Sequence, residues 1–374
     1  MALFSWKVSK NKKDDKSPRK SKGVSKLPED RIKMEMKSLN SAAEDALDPS
    51  NSNRADLIDI YTKAWKDPQV ISEREKAESF VISEPFELLD KAGNPDEEKV
   101  KLFQRPWYES FVKFALYVEF WGHSLLEFQE QDSNGEFTDV IIFPRKNVRP
   151  FEKLIVVNPT DKEGESYQDA LLDFFLIEIG TADDLGKLEA ISREVIWKTF
   201  SRSDWSEYNE RYGKPMLDFG IDTDDDEEIK KKQEMAENFG SNLYMIRDVN
   251  EQINIHQFAA VSAGQNFENS ARFCDEQIAK LMNGQIGTSD EKSFVGSAEV
   301  HERILKAFNK ARLRRIQNTV NYKLVPFLCY HGYQLEGYQI SYPYLKESKE
   351  GEEPASNSGF NQKKKPDWVL NMQD

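Results

Sequence analysis

The chain has 374 residues, with 52 Lys and Arg against 66 Asp and Glu, a formal charge of -14 and a sequence pI near 5.0. Charged residues make up 32% and the apolar set only 38%, a larger water-facing share than a compact enzyme needs, so an extended architecture, disordered tails or both are expected. The acidic balance argues against a sequence-reading nucleic-acid binder, which presents a basic face, but not against a protein past which DNA slides without being gripped.

Cys274 and Cys329 are the only cysteines. They are too few for a disulfide framework, and with no signal peptide or membrane-length apolar run the expectation is folding in a reducing cytoplasm with both thiols packed as small hydrophobes on helices.

The first 26 residues carry eight Lys and Arg19 against Asp14 and Asp15, a net +7 with almost nothing to bury after Trp6; they read as a disordered basic arm. Residues 54–120 read as mostly helical, ending in the aromatic-rich WYESFVKFALYVEFWGH, where Phe111, Ala115 and Val118 sit on a buried face. HSLLEFQEQ, FTDVIIFP and FEKLIVVNP then read as strands, with Ser133-Asn134-Gly135 as a hairpin signal between the first two, and LLDFFLIEIG as a further short strand.

From Asp184 the pattern is helical again. Leu185, Leu188, Ile191, Val195 and Ile196 form one stripe, followed by an expected break at SRSD and by Trp205, Tyr208 and Tyr212, with Gly213 and Pro215 as the stop. A small insert follows: PMLDF as a strand, an acidic run feeding the helix EIKKKQEMAENFG, then NLYMIRD and QINIH as strands around a turn at Asn250. Phe267, Ala271, Cys274, Ile278 and Leu281 mark a helix over about 266–282. A loop then leads to a long helix from Ser297 to about Tyr330, with Ser297 expected to cap it and Pro326 to kink it. Beyond Lys346 the sequence is polar and patternless apart from Trp368-Val369-Leu370, a short docking motif at most.

The candidate chemistry motifs fail on spacing. Gly287 is followed by four residues and then Lys292-Ser293, so the second glycine of a phosphate-cradling G-x-x-x-x-G-K-[ST] loop is missing, and a helix rather than a strand precedes it. His301-Glu302 lacks the second imidazole of H-E-x-x-H, because position 305 is Leu305. Aligning Asp222, Asp224 and Asp226 to a calcium loop puts Glu227 at the glycine position and Gln233 at the bidentate carboxylate. Asp222, Asp224, Asp225, Asp226, Glu227 and Glu228 instead suit a helix N-terminus or an acidic surface for a partner. No nucleophile–base arrangement is visible, so no catalytic residue, cofactor or metal is expected.

Two stretches carry a family resemblance. WKTFSRSDWSEYNERYGKP, with Trp197, Phe200, Asp204, Trp205, Glu210, Gly213 and Pro215, resembles one signature of the portal proteins of Mu-like tailed bacteriophages. NGQIGTS and GSAEVHERI, with Gly284, Gln285, Thr288, Gly296, Ser297, Val300 and His301, resemble a second, in the same order and at matching separation. The resemblance covers roughly residues 100–335, and it implies an α+β, mainly helical fold with a wing, a two-helix stem, a small α/β clip inserted between the stem helices, and a long kinked helix. The expected division is a basic arm over 1–26, a wing over 27–183, a first stem helix over 184–212, a clip over 213–257, a second stem helix over 258–283, a tunnel loop over 284–296, the long helix and a return strand over 297–340, and a polar tail over 341–374.

The same resemblance implies a structural, non-enzymatic subunit of a ring of about twelve copies at one capsid vertex of the virion, assembled in the bacterial cytoplasm. Its implied partners are double-stranded DNA passing non-specifically, the terminase large subunit, a head-completion or tail adaptor protein, and the major capsid or scaffold protein, with no membrane. Gly284, Gln285, Gly287, Thr288, Ser289, Lys292 and Ser293 would form the DNA-facing loop, and Pro215, Asp218, Asp222, Asp224, Asp225, Asp226 and Glu227 the docking surface of the clip. Another head-morphogenesis protein, or a nucleotide-dependent DNA-processing enzyme using Lys292 and Ser293, are the rival expectations.

Overall fold

The computed structural model describes residues 28–212, 217–221, 227, 229–231, 234, 244–248, 260–286 and 295–346. The basic arm, the tail beyond Lys346 with its Trp368-Val369-Leu370 motif, and the expected strand QINIH lie outside the described residues.

The helices are α1 (Pro28–Leu47), α2 (Ala55–Ala64), α3 (Pro68–Ser83), α4 (Glu97–Val100), α5 (Pro106–Trp121), α6 (Ala170–Asp173), α7 (Leu188–Tyr212), α8 (Ala260–Asn283), α9 (Val295–Thr319), α10 (Val325–Tyr330) and α11 (Pro343–Lys346). The strands are β1 (Glu87–Leu89), β2 (His123–Phe128), β3 (Val140–Ile142), β4 (Val148–Arg149), β5 (Leu154–Ile155), β6 (Glu165–Ser166), β7 (Leu176–Gly180), β8 (Leu217–Ile221), β9 (Tyr244–Asp248) and β10 (Gln339–Ser341). The outcome is the mainly helical α+β class that the sequence implied.

The core forms around α5. Pro106 presets its first turn, and Trp107 and Phe111 on one side with Leu116 and Phe120 on the other bury most of its circumference. Each such side chain contributes about 1.5–3 kcal/mol by leaving water. Phe128, Phe137 and Phe327 stack against one another at centroid distances of 4.6–5.7 Å, so the hairpin β2–β3 and the far end of the chain close on the same helix. The hairpin turn falls at the expected glycine, Gly135, with φ 77°. β2 is central, pairing antiparallel with β3 and β7, while β10 pairs antiparallel with β1.

Gly122 ends α5 at φ 76°, where a side chain would meet the Asp184 carbonyl oxygen at 2.0 Å. The missing side chain lets the Asp184–Gly186 backbone, which leads into α7, lie against the end of α5.

The helix α7 runs unbroken through Ser201–Asp204, against the expected break. Ser and Asp weaken helices by competing for backbone hydrogen bonds, but here the Ser201 hydroxyl is spent across the interface on Ser270 at 2.9 Å. Neighbours α7 and α8 run antiparallel, since Lys198 meets Asp275 and the rings of Tyr208 and Phe267 lie 5.8 Å apart. Their base is packed on α1, α2 and α3; α1 was not expected as a helix.

Between the far ends of the pair, β8 and β9 run parallel, Leu217 opposite Tyr244 and Ile221 opposite Asp248. A parallel pair needs a crossover, and residues 227, 229–231 and 234 between them are helical. The strand expected over PMLDF starts and ends two residues later.

The long helix begins at Val295, so Ser297 lies inside its first turn rather than capping it. It continues through a π-helical turn over Val320–Leu324 into α10, about 50 Å in all at ~1.5 Å per residue. Proline cannot donate and its ring crowds the carbonyl four residues back. The wider turn directly before Pro326 relieves that crowding without ending the helix. Cys274 is buried on α8 and Cys329 half-buried on α10.

Candidate functional site: the footing of the 284–296 loop

The loop that joins α8 to α9 starts from a closed, charged network. Glu119 on α5, 4% exposed, accepts hydrogen bonds from Arg312 at 3.0 and 3.2 Å, from Arg315 at 3.2 Å and from Lys187 at 2.5 Å. Arg312, 1% exposed, also donates to the Asn283 side chain at 2.8 Å and to the Met282 carbonyl. Asn283 in turn donates to the Glu73 carboxylate at 2.6 Å and the Glu73 carbonyl at 3.1 Å, and Lys76 pairs with Glu73 at 2.8 Å. Five elements meet in this way: α3, α5, the entry to α7, the end of α8, and α9.

Burial pushes the Glu119 carboxyl up, but Arg312 and then Lys187 outweigh it and hold the group below the usual carboxylate range. Burial pulls the Lys187 ammonium down, against Glu119. Arg312 satisfies one of the orphan carbonyls at the negative end of α8, where a cation is favoured.

Gly284 sits just past the helix at φ 74°, its N–H donating to the Lys280 carbonyl at 2.9 Å. This is the left-handed end position where glycine is preferred, and an added Cβ would lie 2.4 Å from the Phe308 ring. Gln285 is 3% exposed. Of the residues expected in the loop, Gly284 and Gln285 are therefore packed into its footing, not presented on a free surface. Gly287, Thr288, Ser289, Lys292 and Ser293 lie outside the described residues.

Two further polar junctions were not visible in the sequence. Lys198 of α7, buried, is held by Asp67 at 2.9 Å and Asp275 at 2.5 Å, and Asp67 also caps α3 through the N–H groups of Gln69 and Val70. Glu178 of β7 accepts from Lys153 at 2.7 Å and Tyr167 at 2.8 Å and faces His123 at 2.8 Å. Burial works against its charge, yet hydrogen bonds from His123, Lys153 and Tyr167 prevail and hold its pKa near about 2. Burial keeps the His123 imidazole below its ordinary value.

None of these clusters pairs a nucleophile with a base, and no group of three or more His, Cys, Asp and Glu among the described residues is arranged to hold a metal ion. Their hydrogen bonds are directed at helix ends and at one another, which fixes elements rather than presenting reactive atoms.

Of the expected docking residues, Asp218 lies on β8 opposite Met245 and Glu227 is an exposed helical residue. Pro215, Asp222, Asp224, Asp225 and Asp226 lie outside the described residues. No described helix is long and apolar enough to cross a membrane.

Comparison with known proteins finds a family match over residues 58–362, to the portal protein of Mu bacteriophage. No curated protein matches. Among solved structures, the chain is similar to an HK97-family phage portal protein from Corynebacterium diphtheriae, at 13% identity and TM-score 0.43, covering 77% of this chain and 96% of that one. It is also similar to a chain from the neck of an empty GTA particle computed with C6 symmetry, at 13% identity and TM-score 0.46, covering 77% of this chain and 86% of that one.

Proposed function

The chain belongs to the family of portal proteins of Mu bacteriophage, and from that premise we propose that it is a non-enzymatic subunit of a closed ring, about twelve copies, at one capsid vertex. The ring gives double-stranded DNA its passage in packaging and ejection. It docks the terminase large subunit during filling and a head-completion or tail adaptor protein afterwards, with the major capsid or scaffold protein around it. The wing is then residues 27–183, the stem α7 and α8, the clip the β8–β9 unit, and the tunnel loop 284–296.

One observation carries this reading: a segment rich in Gly, Ser and Thr leaves directly from a buried five-element network and returns into a helix about 50 Å long. A loop that touches moving DNA needs small, mobile side chains on a base that does not move. Its single lysine, Lys292, is offset by Asp290 and Glu291, so a ring offers few phosphate contacts to release at each step. Twelve copies would carry roughly -170 formal charges from -14 each, a field that disfavours sticking. The acidic run from Asp222 to Glu228 gives the clip a concentration of negative charge suited to contact with the motor or adaptor.

The test is the mass and symmetry of the purified protein, by light scattering and negative-stain imaging across salt and concentration. Closed rings with a central hole support the reading through their cyclic closure. A monomer or dimer under every condition, with or without capsid protein, overturns it.

A further inference from the structure

An open groove of about 370 Å³ runs between the end of α3 and the start of α5. Phe86, Phe103 and Val112 line its walls, Ile82 is exposed at its lip, and Tyr108 and Tyr342 form its floor. The buried Tyr108 hydroxyl has the Tyr342 hydroxyl beside it and no other partner.

The rim is acidic. Arg105 is engaged by Glu136 and by Asp132 at 3.9 Å; the carboxylates of Glu84 and Glu109 border the groove, and Glu109 makes no ion pair among the described residues. The groove thus combines aromatic walls and floor with negative edges.

The described chain ends beside it. Tyr342 is part of the floor, Tyr344 packs on Phe80 at 5.3 Å, and Lys346 pairs with Glu87 at 3.1 Å. The sequence then continues to Lys363-Lys364-Lys365-Pro366-Asp367-Trp368-Val369-Leu370, which holds the only run of three apolar residues after Lys346, directly behind three lysines. Twenty-two positions separate Lys346 from Trp368, a length whose random-coil reach is about 25 Å, so the groove is within intramolecular range of the segment.

We propose that this groove is the docking site of the chain's own C-terminal segment, Trp368-Val369-Leu370 filling the aromatic notch and Lys363–Lys365 lying over the Glu84–Glu109 rim. An indole brings an apolar body and one N–H donor, which the aromatic walls and rim carboxylates match. The inference is independent of ring formation and of the role of the 284–296 loop.

The experiment uses the full-length chain carrying Ile82→Cys and Asn371→Cys, joined by a short bismaleimide, in a mixture of 14N- and 15N-labelled protein read by mass spectrometry. The expected result is a link between positions 82 and 371 within single chains, formed at least fivefold more slowly when Trp368→Ala is added and about threefold more slowly with Glu109→Lys. In parallel, amide exchange over residues 82–86 should rise with Trp368→Ala and stay unchanged in α2. An unaltered link rate with Trp368→Ala means a tethered tail that does not dock, and overturns the proposal. Links between differently labelled chains assign the groove to a second copy and overturn it equally.

Discussion

Replacing Arg312 by methionine tests whether the loop footing is held by charge. The change keeps most of the side-chain volume but removes two hydrogen bonds to Glu119, one to Asn283 and one to the Met282 carbonyl. Glu119 stays 4% exposed with only Lys187 and the outlying Arg315 near it. Stranding a buried charge costs about 3–5 kcal/mol; with two cations remaining, a loss of about 3 kcal/mol at pH 7 is expected, read by urea unfolding with tryptophan fluorescence.

The pH dependence carries a sign. In the native protein the Glu119 carboxyl is depressed, so its stabilisation is present above the unfolded carboxylate value near ~4.3 and is lost as pH falls below it. In Arg312→Met the burial that raises Glu119 remains while its largest opponent is gone. The carboxyl then titrates above its unfolded value, and the deficit of the variant narrows between pH 7 and pH 5. Pairing the change with Glu119→Leu should recover at least half of the loss, because an apolar pair of similar shape replaces a buried ion pair at little cost. A deficit below about 1 kcal/mol at pH 7, or one that widens as pH falls, would refute the reasoning.

Gly284→Val combines a left-handed backbone, about 1–2 kcal/mol for an L-residue, with a contact at 2.4 Å to Phe308; a loss of at least about 2 kcal/mol in urea unfolding is expected. Lys198→Met strands Asp67 and Asp275 and should cost about 3 kcal/mol, part of it restored by Asp67→Asn, which keeps the α3 cap. Glu178→Gln should cost about 1–2 kcal/mol at pH 7 after allowing for solvent screening. That difference should vanish as pH is lowered from 4.5 to about 2, where the native carboxylate titrates. Ser293→Lys adds one cation per subunit to the loop; purified rings should then retain DNA more strongly at low salt, and the retention should collapse with added salt. DNA retention equal to that of the unmodified ring would count against a channel position for the loop.

Stripes of large apolar residues were legible in the sequence. Leu188, Ile191 and Val195 marked α7, Cys274 and Ile278 marked α8, and the aromatics of 107–120 marked α5. By contrast, among the described residues α1 buries Leu39, Ala42 and Ala46 alone, and one leucine and two alanines in a charged stretch give weak periodicity. The continuity of α7 through SRSD was hidden because the compensating hydroxyl contact comes from Ser270, 69 positions away. The footing was hidden for the same reason: Arg312 and Glu119 are separated by 193 positions and Asn283 and Glu73 by 210, and no local spacing encodes such pairs. Gly284 was singled out in the sequence as a loop glycine. Its use as a helix end under Phe308 depends on packing, which the sequence alone does not display.

Among the described residues the β8–β9 unit lies in the chain between the end of α7 and the start of α8, while the other end of that helix pair is tied to the start of α3 by Lys198, which holds Asp67 and Asp275 together. On the function proposed above, replacing this insert would change the docking face while leaving the helix pair and its footing in place. Chimeras grafted at the ends of α7 and α8 are the natural place to engineer altered partner choice.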